Sequence, residues 1–219
     1  MGFTRVYNTL YAHYGPQHWW PGDTPFEIMA GAVLTQNTAW TNVEKAIANL
    51  KAQDHLDPAR IARASHEQLA QWLKPSGYFN IKAQRLQGFC AWYMAQGGLK
   101  TLSALDTHAL RHALLAVHGI GPETADDILL YAFHRPVFVI DAYTRRLFSR
   151  LGLIKGDEGY ETLRHTFETA LGNDSTKADT RLFNEYHALI VNHAKDICRK
   201  QPLCMRCCLA DVCPSRIVT

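Results

Sequence analysis

Apolar positions recur with the three-and-four spacing of helices along almost the whole chain. Val6, Leu10, Tyr11 and Tyr14 share one helical face, and Gly15 stands where that helix can stop. Residues 26–34 are apolar on every side, with Ala and Gly among them, which suits a buried helix. Thr41 and Glu44 read as a capping box before NVEKAIANLK. Asp57-Pro58 opens a short helix, and Ser65 with Gln68 caps HEQLAQWLK. Pro75-Ser76-Gly77 breaks the pattern, which resumes at Asn80 and runs to Gly97-Gly98. Asp106 caps THALRHALLAV, and residues 122–133, 142–151, 160–171 and 180–198 complete the helices. Residues 136–140 look strand-like, but one short run makes no sheet. The expected class is all-α.

Composition narrows the picture modestly. Of 219 residues, 47% are hydrophobic, ample for one large domain or two small ones. No apolar run approaches the roughly 18 residues of a membrane span, and the N-terminal stretch lacks the apolar core of a signal peptide. A soluble, cytoplasmic protein is therefore expected. The net charge of +3 permits nucleic acid binding without demanding it.

The chemistry-bearing stretch is HGIGPETADDILLYAFHRPVFVIDAYTRR. Gly119 and Gly121 flank Ile120 after His118, so the backbone can turn tightly there and present its amides. Pro122 suits the first position of the next helix, where its missing N–H costs nothing. Amides at such a turn and helix start form a site for an anion such as a DNA phosphate. Asp141 follows the apolar run 137–140, where a carboxylate needs a reason to be. It reads equally well as the N-cap of AYTRRLFSR or as a reactive group.

Five of the six cysteines lie between Cys198 and Cys213. Cys198, Cys204, Cys207 and Cys213 have the spacing C-x5-C-x2-C-x5-C, and four thiolates in so short a loop can surround zinc or a [4Fe–4S] cube. Cys208 is an alternative third ligand. Cys90, in a helical apolar stretch, reads as a core thiol.

Together these motifs resemble the helix-hairpin-helix DNA glycosylases of endonuclease III type, over nearly the whole chain. The resemblance implies two helical lobes: 22–134 with the hairpin, and 1–21 plus 135–219 with the four-cysteine loop 198–213. It implies a [4Fe–4S] cluster on Cys198, Cys204, Cys207 and Cys213, although the family's first gap is usually one residue longer. It makes Asp141 the catalytic carboxylate, Gln36 the side chain that fills the gap left by a flipped base, and Tyr78 a wedge against the opposite strand. His118, Gly119, Ile120 and Gly121 become the phosphate-gripping hairpin. As alternatives, Gln36 caps a helix and Tyr78 is an ordinary loop aromatic. The implied partner is double-stranded DNA carrying a damaged base, met by a monomer near the nucleoid.

Bifunctional members carry a lysine two residues after the second hairpin glycine; here that residue is Glu123, and no lysine lies between Lys100 and Lys155. A carboxylate forms no Schiff base, so a monofunctional enzyme is expected. The adenine-mismatch branch needs an acid before its L-x-Q segment, and GAVLTQ has none. A base that leaves without an acid is best already cationic, as N3- or N7-alkylated purines are, and such a base asks for aromatic faces. Trp19, Trp20 and Trp40 resemble the base pocket of the 3-methyladenine branch; the other reading makes them core staples. His193 and Lys195 are placed near phosphate or pocket. The rivals are a glycosylase for oxidised, deaminated or mismatched pyrimidines, and a non-catalytic lesion-sensing protein.

Overall fold

Short polar side chains start several of the helices by accepting from amides that have no partner within the helix. Thr24 Oγ1 accepts from Glu27 N, Asp57 Oδ1 from Ala59 N and Arg60 N, Ser65 Oγ from Gln68 N, and Asp106 Oδ1 from Ala109 N. The computed structural model describes residues 2–19, 22–172 and 177–217. Among the described residues there are helices and turns but no strand. No described helix is long and apolar enough to cross a membrane. The chain divides into two compact units: Met1–Trp19 with Arg135–Thr219, and Trp20–His134.

The first unit holds α1 (Phe3–Tyr14), which closes on Gly15 in the left-handed region at φ 69°. The second unit follows with α2 (Pro25–Leu34), α3 (Trp40–Ala52), α4 (Pro58–Arg63), α5 (His66–Leu73), α6 (Phe79–Ala95), α7 (Gly98–Ser103), α8 (Thr107–Leu115) and α9 (Pro122–Asp127). A π-helical turn, Ile128–Ala132, extends α9. The chain then returns to the first unit for α10 (Ala142–Arg150), α11 (Tyr160–Leu171) and α12 (Lys177–Asp196).

In the second unit α2 is buried from Glu27 to Leu34, as its uniformly apolar sequence requires. On α6, Lys82, Ala83, Leu86, Phe89, Cys90 and Tyr93 form one buried stripe at helical spacing. Burial pushes the Cys90 thiol well up, as befits a core thiol. Arg111 on α8 grips the fully buried Asp126 on α9 through Nε at 2.7 Å and Nη2 at 3.1 Å. That fork fixes the two helices on either side of the hairpin.

In the first unit the core is aromatic. Phe138, Phe148, Phe167, Phe183 and Tyr186 are fully buried, with Phe138 stacked on Phe167 at 4.6 Å. Tyr186 on α12 donates to the Phe3 carbonyl at 2.7 Å and ties α1 down.

The structure departs from the sequence expectations in three elements. Thr41 is not the cap: α3 starts two residues earlier than expected, at Trp40, behind Ala39 and with no side-chain cap. Residues 98–103 form a helix the double glycine concealed, Gly97 and Gly98 both taking positive φ. Residues 136–140 form no strand and carry no regular secondary structure. Side chains satisfy two of their amides: Phe138 N–H donates to Glu168 Oε1 at 3.0 Å, and Ile140 N–H to the Tyr160 hydroxyl at 3.4 Å.

Candidate functional site

Apolar residues 137–140 are buried and lead straight into α10, so the side chain at its mouth is held in place by the core behind it. That side chain is Asp141. Its Oδ1 accepts from Thr144 N at 2.7 Å, the N-cap bond, while Oδ2 lies 3.5 Å from His187 Nε2. The two readings of this residue therefore use different oxygens. The carboxylate is only 13% exposed and His187 only 5%. Burial, the largest influence, would raise the Asp141 pKa; His187 and the Thr144 amide more than offset it, and the net shift is downward. Asp141 is thus held as a carboxylate in a nearly dry setting.

The other face of the group is aromatic. The Trp19 ring stacks on His187 with centroids 5.9 Å apart and planes 17° from parallel. Trp19, His187 and Asp141 form one constellation within the first unit. His187 carries no sequence signal beyond its place on an amphipathic helix, and it was missed for that reason. Trp40 belongs to the second unit, where its ring covers Gly31 so closely that a Cβ there would meet it at 3.0 Å. Trp20 lies outside the described residues.

The hairpin follows α8. Gly119 sits at φ 86°, Ile120 is buried, and Gly121 is the N-cap of α9 with Pro122 behind it; His118 and Gly121 are exposed. Ile120 N–H donates back to Val117 O at 3.0 Å and closes the turn. A Cβ on Gly119 would meet the Arg85 side chain at 2.7 Å. Gly119→Ala therefore faces both a left-handed backbone and a collision, and is expected to cost about 1–3 kcal/mol. Urea unfolding of the variant checks this.

Gln36 does not project from its turn as a free side chain. Its Nε2 donates to Gly119 O at 2.9 Å and to Thr124 Oγ1 at 3.0 Å, and its Oε1 accepts from Arg85. It caps neither neighbouring helix, since the C-cap of α2 is Thr35 and the N-cap of α3 is Ala39. Tyr78, by contrast, is 69% exposed and stands at the N-cap of α6 with φ 45°, a strained position for a tyrosine.

Cys198, Cys204, Cys207 and Cys213 line one pocket, and Cys208 is not among its lining residues. All the cysteines are free thiols. Among the described residues no three His, Cys, Asp or Glu side chains converge as they would on a single ion. Donors aim at several of the sulfurs: Leu209 N–H at Cys207 Sγ (3.4 Å), Ile217 N–H at Cys204 Sγ (3.4 Å) and Arg150 Nη1 at Cys198 Sγ (3.3 Å). Burial raises the Cys207 thiol to about 11. His193 is fully buried between the Tyr14 hydroxyl (2.8 Å to Nδ1) and Cys207 Sγ (3.4 Å to Nε2). Burial, then the charge of His13, lowers its pKa to about 4. Lys195 is exposed, as are Arg199, Lys200 and Arg206.

Residues 30–172 match the family model described as HhH-GPD superfamily base excision DNA repair protein. A putative DNA repair glycosylase of Methanocaldococcus jannaschii is 43% identical over 215 residues, covering 97% of this chain and 96% of its own. The crystal structure of Helicobacter pylori 3-methyladenine DNA glycosylase bound to 1,N6-ethenoadenine superposes with a TM-score of 0.76 at 30% identity, over 89% of this chain and 98% of that one. A trapped endonuclease III–DNA covalent intermediate superposes with a TM-score of 0.82 at 20% identity, over 97% and 94% of the two chains, a likeness of fold. Hairpin, buried carboxylate and these relatives agree: the chain belongs to the HhH-GPD superfamily and is a DNA glycosylase of base excision repair.

Proposed function

We propose that this glycosylase is monofunctional and removes alkylated purines such as 3-methyladenine from duplex DNA. The observation that carries the reading is the Asp141–His187–Trp19 group, an ionised carboxylate beside an aromatic face. A cationic base is attracted to such a face, and the sugar it leaves behind is stabilised by the carboxylate. The solved Helicobacter pylori relative, a 3-methyladenine DNA glycosylase holding a modified adenine, supports the same substrate class.

In this mechanism the hairpin amides of residues 118–121 grip a phosphate, and Gln36 and Tyr78 act on the duplex where a base is extruded. The bond from C1′ to the base nitrogen breaks with its electron pair going to the base. That pair neutralises the positive charge of an alkylated purine, so no acid is required. Water adds at C1′ and its proton passes to Asp141 Oδ2 or to solvent. Thr144 N–H holds Oδ1 throughout, so the carboxylate keeps its orientation. Glu123, in the first turn of α9, offers no amine to the sugar.

Cys198, Cys204, Cys207 and Cys213 are proposed to hold a [4Fe–4S] cluster. Four thiols that line one pocket can serve as the ligands of such a cube. Such a cluster would contribute order to the C-terminal loop and its exposed cations.

Chromatography of free base released from methylated duplex DNA tests the substrate. Release of 3-methyladenine is expected, while uracil and thymine glycol stay in place; release of a pyrimidine alone overturns the reading. Borohydride is expected to trap no covalent protein–DNA adduct. A trapped adduct at wild-type Glu123 would show that another amine serves as nucleophile.

A further inference from the structure

The helix α6 carries two cations on its inner side that the chemistry above does not use. Lys82 is 1% exposed, and its Nζ donates to Leu34 O at 2.8 Å and to Ser76 O at 2.6 Å. One turn on, Arg85 Nη1 donates to Gln36 Oε1, and the Arg85 stem lies under Gly119. Arg85 Nε is buried beside the same glycine, without a hydrogen-bond partner among the described residues. The N-cap of α6 is Tyr78 itself. One helix thus reaches the Gln36 turn, the wedge turn and the hairpin, which are far apart in sequence.

We infer that Arg85 is a positioning residue for lesion engagement, locking Gln36 against the hairpin so that phosphate gripping and gap filling work as one unit. The inference rests on the proposed base-flipping role of Gln36. Gln36 has both ends of its amide committed: the NH2 to Gly119 O and Thr124 Oγ1, the oxygen to Arg85. Without the Arg85 guanidinium the amide oxygen loses its charged donor, while a stem kept at this position still backs Gly119. A hairpin that shifts to receive a phosphate moves the carbonyl that Gln36 holds, so the two contacts are mechanically joined. Arg85 does not need to touch DNA for this.

The test uses a duplex containing an abasic-site analogue and the same analogue in a single strand, with affinity read by fluorescence anisotropy for wild type, Arg85→Met, Gln36→Ala and the double variant. A single strand has no opposite base and leaves no hole to fill. Arg85→Met is expected to weaken duplex binding about tenfold, the size of one hydrogen bond to a charged group, and to leave single-strand binding within about twofold. Gln36→Ala should do the same, and the double variant should be no weaker than the weaker single one, because both changes break one interaction. Arg85→Lys, which keeps the charge and most of the stem, should recover part of the loss and guards against a folding defect in Arg85→Met. Additive losses, or equal losses on duplex and single strand, overturn the assignment. Neither probe carries a base, so a failure of the alkylpurine reading in the release assay leaves this result standing and separate.

Discussion

Asp141→Asn is expected to lower release of alkylated base by about 10²–10³-fold, the range seen when one preorganised electrostatic group is lost from an active site. The fold should survive the change, and the reason lies in the division of labour between the two oxygens. Oδ1 is the N-cap acceptor for Thr144 N–H, and asparagine caps a helix as well as aspartate does. What asparagine lacks is the charge on the side facing His187. Thermal unfolding should therefore shift by only a few degrees, about the effect of 1 kcal/mol or less in a domain of this size. Single-turnover release from methylated duplex measures the loss. Full activity in a folded Asp141→Asn variant would remove the carboxylate from the mechanism.

The second large effect is expected at the C-terminal loop. Cys207→Ser should abolish the broad visible absorbance of the purified protein and free residues 198–213 to proteolysis, whereas Cys208→Ser should leave both unchanged. The contrast follows from the pocket, which Cys207 lines and Cys208 does not. Binding energy at a structural metal site is folding energy, about 10–16 kcal/mol for zinc in small domains, so the loss of one ligand cannot be absorbed by a loop that has little core of its own. Leu209 is its one fully buried apolar side chain past Cys198 among the described residues. Iron and acid-labile sulfide determination on both variants checks the prediction. Zinc in place of iron would correct the identity of the metal, and equal loss in both variants would reassign the third ligand.

Much of the architecture could be read from the chain because it is written locally. Thr24, Asp57, Ser65 and Asp106 cap helices through bonds spanning two or three residues, and α6 displays its buried stripe at helical spacing. The stretch from the hairpin to Asp141 stands out for the same reason: hairpin, Pro122 and Asp141 are close in sequence and belong to a familiar pattern. What escaped depends on contacts between distant parts. His187 meets Asp141 across 46 residues and Trp19 across 168, and a histidine on an amphipathic helix gives no hint of either. Gln36 was legible as a residue but not as a bound one, since Gly119 is 83 residues away. The Thr41 capping box failed because a matching pair of residue types does not choose the first turn; Trp40 packing on Gly31 starts α3 earlier.

The arginines of α10 alter how the charge of this protein should be counted. Arg145 donates to the carbonyls of Gly156 and Glu158, Arg146 to those of Ala194 and Cys198, and Arg150 to those of Cys198, Arg199 and Lys200. Three guanidinium groups on the helix that Asp141 caps are thus bonded to the protein's own backbone. Cations engaged in this way are held back from phosphates, so the salt sensitivity of DNA binding is expected to come from exposed residues such as Lys195, Arg199, Lys200 and Arg206. With a net charge of only +3, DNA binding is expected to rest on a few phosphate contacts and to weaken only gently as ionic strength rises.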